Sequence, residues 1–147
     1  MELALACDVV VAADDALLGD GHVRNQLFPA GGASVRLQQR VGISFARYLA
    51  LTGELVPASQ FSSCGWLHAT VPAARLERTA QGLAEQLAAA AGPAQTHFRH
   101  LMNATLSLPP EQGLEAELEA FATHWESAPV AAALRAFLTD RTEVPQT

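Results

Sequence analysis

Glu2-Leu3-Ala4-Leu5-Ala6-Cys7-Asp8-Val9-Val10-Val11-Ala12-Ala13 sets the fold class by its change of pattern at Asp8. Before Asp8, Leu3 to Cys7 make an apolar element that opens without a cap, because Met1 has no side-chain acceptor for the first backbone N–H groups. After it, Val9, Val10 and Val11 form a β-branched run, too short for a helix and continuous enough for a strand buried on both faces. A strand is therefore expected over residues 8–13. Next, Leu18-Gly19-Asp20-Gly21-His22 packs two glycines and an aspartate together, the signal of an irregular loop. Loops carried by a rigid strand are where chemistry tends to sit.

Further out, helical signals take over. Phe28-Pro29-Ala30-Gly31-Gly32 leads into a short helix over 33–40 with Gly42 as its stop, and 44–51 closes at Gly53. The same signals give helices over 58–64, ended by Gly65, and over 73–91, ended by Gly92-Pro93. Between them, 66–71 reads as a short strand. Helices over 94–106, 112–127 and 130–140 follow, split by Pro109-Pro110 and Pro129, and the last five residues read as frayed. One or two strands cannot hide their edges, so another chain or a further N-terminal region is expected to complete the sheet.

Composition narrows the function classes. The chain has 147 residues, 9 Lys+Arg against 15 Asp+Glu, a formal charge of −6, and 50% hydrophobic residues, as in an ordinary globular domain or part of one. Its basic residues are scattered singly, which leaves no footprint for a nucleic-acid backbone. Asp8, Asp14, Asp15, Gln81 and Glu85 interrupt the apolar segments, so no bilayer span is expected. Met1 is followed at once by acidic Glu2, unlike the basic start of a secretory signal. Cys7 and Cys64 lack a zinc or disulfide spacing, and a reducing cytoplasm is the expected compartment.

Several short motifs recur in a telling order: Glu2-Leu3-Ala4-Leu5-Ala6-Cys7-Asp8, Gly19, Pro29-Ala30-Gly31-Gly32-Ala33-Ser34-Val35-Arg36-Leu37, Val41-Gly42, Leu51-Thr52-Gly53, Gly65, and Leu134-Arg135-Ala136-Phe137-Leu138 with Asp140-Arg141. Each is weak alone, but in this order and spacing they resemble the enoyl-CoA hydratase/isomerase, or crotonase, superfamily from Met1 to about Arg141. The resemblance implies an α/β, crotonase-like fold of ββα units, N-terminally truncated here, with a mostly helical C-terminal half. It divides the chain into the C-terminal part of the crotonase core, residues 1–72, and a helical trimerisation region, residues 73–147. It implies assembly as a homotrimer or hexamer, an acyl-CoA thioester as substrate, no separate cofactor and no metal. The chemistry it implies runs through a thioester enolate whose oxygen two backbone N–H groups hold. In the family one of these belongs to a glycine just upstream of the motif that opens here at Met1.

Two residues take site roles from the resemblance. Glu2 stands at the first of the two glutamates with which hydratases of the family position and activate water. His22 stands where they carry the second, and the ten steps from Gly19 to Pro29 need no gap, so the exchange is a true departure. A Glu2/His22 pair is not two carboxylates, which leaves isomerisation, carbon–carbon cleavage and thioester hydrolysis open beside hydration. Both residues also have plain readings, Glu2 as a solvated acid near a helix start and His22 as a loop histidine bonded to Asp20 or to water. Asp20 can orient His22 through its other ring nitrogen. Gly31-Gly32 either presents N–H groups to an anion or only permits a turn. His97 and His100 share a helix face with no third ligand, which favours a solvated face over a metal site. Leu114, Leu118, Phe121 and Trp125 form an apolar stripe that packs against the chain's own core or another subunit. The competing overall reading is a non-catalytic truncated remnant or an assembly subunit.

Overall fold

The computed structural model describes residues 1–127 and 130–142. The break at Pro129 and the fraying over 143–147 lie outside the described residues. The chain divides into two compact units, Met1–Glu85 and Gln86–Thr147.

The first unit contains helix α1 (Glu2–Ala6), strands β1 (Val11–Ala13) and β2 (Leu17–Gly19), helices α2 (Ala33–Val41) and α3 (Ile43–Thr52), strands β3 (Leu55–Pro57) and β4 (Ala69–Val71), and most of helix α4 (Leu76–Ala89). Single 3-10 turns lie at Val23–Asn25, Ala58–Phe61 and Ala73–Arg75. Helices α2 and α3 stop at glycines, Gly42 and Gly53. At Gly53 the backbone turns to φ 69° and its N–H bonds the Leu49 carbonyl at 2.9 Å, which closes α3 in a left-handed cap.

The strands differ most from the sequence reading. The strand expected over 8–13 is confined to Val11–Ala13. Residues 7–9 bend instead, held where Arg40 donates to the Cys7 carbonyl at 3.1 Å, and Val9 is exposed. Ladder pairing begins only at Val10, whose carbonyl accepts the His68 N–H at 2.8 Å, and β1 then runs parallel to β4 with Val11 opposite Ala69. Within β1, Ala12 and Ala13 are buried and Val11 only in part. The irregular loop starts later than expected, because Leu17–Gly19 pairs antiparallel with β3, Leu18 opposite Val56. The expected helix over 58–64 is one 3-10 turn followed by further turns to Gly65. There the Ser62 backbone N–H and hydroxyl both return to the Ser59 carbonyl, at 3.2 Å and 2.7 Å, a local bond that competes with helix. The strand over 66–71 shortens to β4, since Trp66 enters the core instead.

Leu5, Leu37, Val41, Ala46, Leu49, Val56, Phe61 and Trp66 form that core. On α2, Ala33, Leu37 and Val41 recur every four residues and bury one face, against which α1 packs. Phe61 sits edge-on to Trp66, ring centroids 5.2 Å apart, and 5.0 Å from Phe45. Leu5 is fully buried and fastens α1, which has no side-chain cap. Burial of such a side chain is worth about 1.5–3 kcal/mol.

The second unit consists of helices α5 (Pro93–Thr105), α6 (Pro110–Ser127) and α7 (Val130–Thr142), with α5 packed on α6. Their bounds fall within about two residues of the expected ones.

Candidate active site

Glu2 opens α1, and its carboxylate crosses to the start of α2. Oε1 accepts the Gly31 N–H at 2.8 Å and the Ala33 N–H at 3.3 Å. A helix start leaves such N–H groups without intrahelical partners and favours negative charge; here Gly31 and Ala33, on either side of Gly32, present the donors, and the anion they meet is Glu2. Gly31 also supplies room: a Cβ there would lie 2.6 Å from Glu2 Oε2.

His22 follows β2 through Asp20 and Gly21. Asp20 is 7% exposed, and its Oδ1 both accepts the His22 backbone N–H at 3.2 Å and meets the ring at Nδ1. The turn beyond is closed where Asn25 Nδ2 donates to the Gly21 carbonyl at 3.1 Å. Arg24 and Glu54 pair at 2.5 Å, tying that turn to the segment before β3. The other ring nitrogen of His22, Nε2, stands 4.0 Å from Glu2 Oε2.

The folded chain thus brings Glu2, His22 and Asp20 into one row, carboxylate, imidazole, carboxylate. The row borders a cleft of about 470 Å³ that Leu5, Gly19 and Ala33 also line. On the other side of His22 a more apolar cleft of about 320 Å³ is lined by Leu27, Phe28, Leu37 and Leu51. Each of Glu2 and His22 keeps an atom facing the other across a gap that a single reacting atom can bridge, the geometry general acid–base chemistry needs. The clamp on Glu2 is the part that sequence reading did not assign; the glycine pair ahead of a helix was its only signal.

The remaining candidates lie elsewhere. His97 meets His124 rather than His100, with Nδ1 to Nδ1 at 3.0 Å and the rings perpendicular. Among the described residues no three metal-ligating side chains form a group. Cys7 and Cys64 are free thiols that donate to the Leu3 and Phe61 carbonyls at 3.3 Å and 3.0 Å. Leu114, Leu118, Phe121 and Trp125 are all exposed, between 50% and 70%. No described helix is long and apolar enough to cross a membrane.

Comparison with known proteins agrees with this architecture. The model of the family "Enoyl-CoA hydratase/isomerase" matches residues 1–144. A probable enoyl-CoA hydratase of Rhizobium meliloti is 30% identical over 140 residues, covering 95% of this chain and 54% of that protein. The short-chain-enoyl-CoA hydratase of Clostridium acetobutylicum is 26% identical over 140 residues, with the same 95% and 54% coverage. The crystal structure of an enoyl-CoA hydratase from Polaromonas sp. JS666 superposes with a TM-score of 0.86 at 31% identity, over 99% of this chain and 56% of that one. The chain spans about half the length of the curated relatives it matches. Its α/β fold is the crotonase fold of these neighbours, and the chain belongs to the enoyl-CoA hydratase/isomerase family.

Proposed function

We propose that the chain carries the proton-transfer groups of an acyl-CoA enzyme that works through a thioester enolate. The observation that carries this reading is the meeting of Glu2 and His22 across one cleft, at 4.0 Å, with Glu2 clamped by two N–H groups. Removing a proton beside a thioester carbonyl, or adding water to its conjugated double bond, puts negative charge on the carbonyl oxygen. Fixed N–H donors lower that barrier, and loss of one costs about 100-fold to 1000-fold. In the family that the chain resembles, one of those donors belongs to a glycine just upstream of the motif that opens here at Met1. In this reading coenzyme A enters only as part of the substrate, and neither a metal nor a further cofactor takes part. Glu2 and His22 act as the acid–base pair, and the neutral or cationic imidazole in place of a second carboxylate suits isomerisation, carbon–carbon cleavage or thioester hydrolysis better than simple hydration. Residues 1–72 supply core, residues 73–147 assemble a homotrimer or hexamer, and the two free thiols suit the cytoplasm.

The test begins with the reading frame upstream of Met1 and continues with the polypeptide it encodes. Glu2→Gln should lower turnover of the preferred acyl-CoA by about 100-fold to 10,000-fold, the worth of a positioned acid or base. Crotonyl-CoA hydration should be weak in the unaltered protein and rise with His22→Glu, which restores the second carboxylate. Fast hydration by the unaltered protein that survives Glu2→Gln would remove both residues from the chemistry. A second reading, a non-catalytic subunit, draws on the exposed stripe on α6. It requires no effect of Glu2→Gln.

A further inference from the structure

We propose that Asp20 is the positioning residue of this site: it fixes His22 with the ring proton on Nδ1 and so leaves Nε2 as the proton acceptor opposite Glu2. The chemical part of this inference rests on the acyl-CoA reading above; its structural part stands without any substrate.

The assignment follows from one oxygen. Oδ1 of Asp20 accepts the His22 backbone N–H at 3.2 Å and meets ring Nδ1 of the same residue. An ionised carboxylate only accepts, so opposite the Asp20 carboxylate the ring donates from Nδ1. In a neutral imidazole with its proton on Nδ1, Nε2 holds a lone pair and accepts. The side chain of Asp20 is 8% exposed, which limits water as a competing partner and makes a change of partner costly. The paired hydrogen bonds also couple loop to ring: the turn that orients the His22 backbone and the contact that orients its imidazole share an atom.

On the far side, Nε2 and Glu2 Oε2 are 4.0 Å apart, too long for a direct hydrogen bond and suited to one intervening atom. Glu2 cannot swing in to close the gap, because its other oxygen is held by Gly31 and Ala33. A base with a free lone pair, oriented from behind by a buried carboxylate, is the arrangement that activates histidine bases generally. The step it performs is balanced within the site. The Cα–H bond beside the thioester breaks, its proton goes to Nε2, and the electron pair stays as the enolate. The imidazolium so formed strengthens its bond to Asp20 as a charge-assisted pair. Return of the proton from Nε2 to the enolate completes the cycle without oxidant or reductant.

A purely architectural Asp20 would cap the turn and leave the ring free. The two roles separate in Asp20→Ser, whose hydroxyl still reaches the backbone N–H two residues on but falls short of the ring. The experiment is nitrogen-15 NMR of the His22 imidazole in the labelled chain, at a pH where the ring is neutral. The expected result is protonated Nδ1 and bare Nε2 in the unaltered chain, and a shift to the Nε2–H form in Asp20→Ser. A ring protonated at Nε2 in the unaltered chain overturns the inference even where Asp20→Ser fails to fold. A tautomer that Asp20→Ser does not move overturns the part assigned to Asp20. The catalytic arm follows deuterium uptake at the α carbon of butyryl-CoA in D2O, expected to fall about 100-fold in maximal rate with an unchanged half-saturating concentration. Since the tautomer is read with no substrate present, absence of uptake in the unaltered chain strikes the acyl-CoA reading and leaves the tautomer assignment standing.

Discussion

Gly31 decides how closely the Glu2 carboxylate approaches α2. A methyl group at this position would lie 2.6 Å from Oε2 and push the carboxylate off the Gly31 and Ala33 N–H groups. Gly31→Ala should therefore lower turnover by about 100-fold, the usual cost of moving a reacting group by roughly an ångström. Stability should change by no more than about 1 kcal/mol, because the bonds lost are partly open to water. Steady-state kinetics beside a thermal melt check this; an active Gly31→Ala variant would show that the clamp does not position Glu2. Glu2 and His22 themselves were legible as candidates, because each stands inside a motif of recognisable spacing. The clamp was not, since it joins residues 29 and 31 positions apart, and nothing local to Glu2 announces where its acceptor oxygens go.

Elements of ten or more residues were legible nearly to their bounds, whereas of the three-residue strands β1 and β4 were expected at twice their length and β2 and β3 were not expected at all. Helices α3, α5 and α6 carry their own stop signals in glycine and proline, so their bounds could be read to within about two residues. By contrast β2 and β3 exist only through each other: Leu18 opposes Val56 across nearly forty intervening positions, and three residues are too few for a period to emerge. On α6, Leu114, Leu118, Phe121 and Trp125 recur at steps of four, three and four and stay exposed, with Phe121 and Trp125 rings 5.6 Å apart. Exposed apolar patches of this kind are often association faces, and the proposed assembly would use this one. Replacing Leu118 and Phe121 together by glutamate should lower the mass seen in light scattering while helical content by circular dichroism stays constant. Unfolding in step with dissociation would place the stripe in the chain's own core.

Across the whole molecule, the α/β class and the change from a mixed first half to a helical second were legible from the β-branched run and the glycine and proline spacing. How the apolar residues divide between inside and outside was not, because alanine-rich helices blur their faces. Every buried apolar side chain among the described residues lies between Leu5 and Trp66. The helices of the second unit keep Phe98, Met102, Leu106, Leu114, Leu118, Phe121, Trp125, Leu134, Phe137 and Leu138 exposed. That asymmetry has a calorimetric signature. Heat capacity on unfolding tracks the apolar area newly wetted, and 147 residues packed in the ordinary way would give about 2 kcal/mol/K. A dilute chain whose helical half is already wet should give nearer half of that, about 1 kcal/mol/K. The increment should then grow with protein concentration as copies cover one another, and scanning calorimetry over a dilution series measures it. A full increment at the lowest concentration would mean that those side chains are dry in the single chain. If copies do cover one another in this way, the chain stores in its neighbours the thermal capacity that an independent domain keeps to itself.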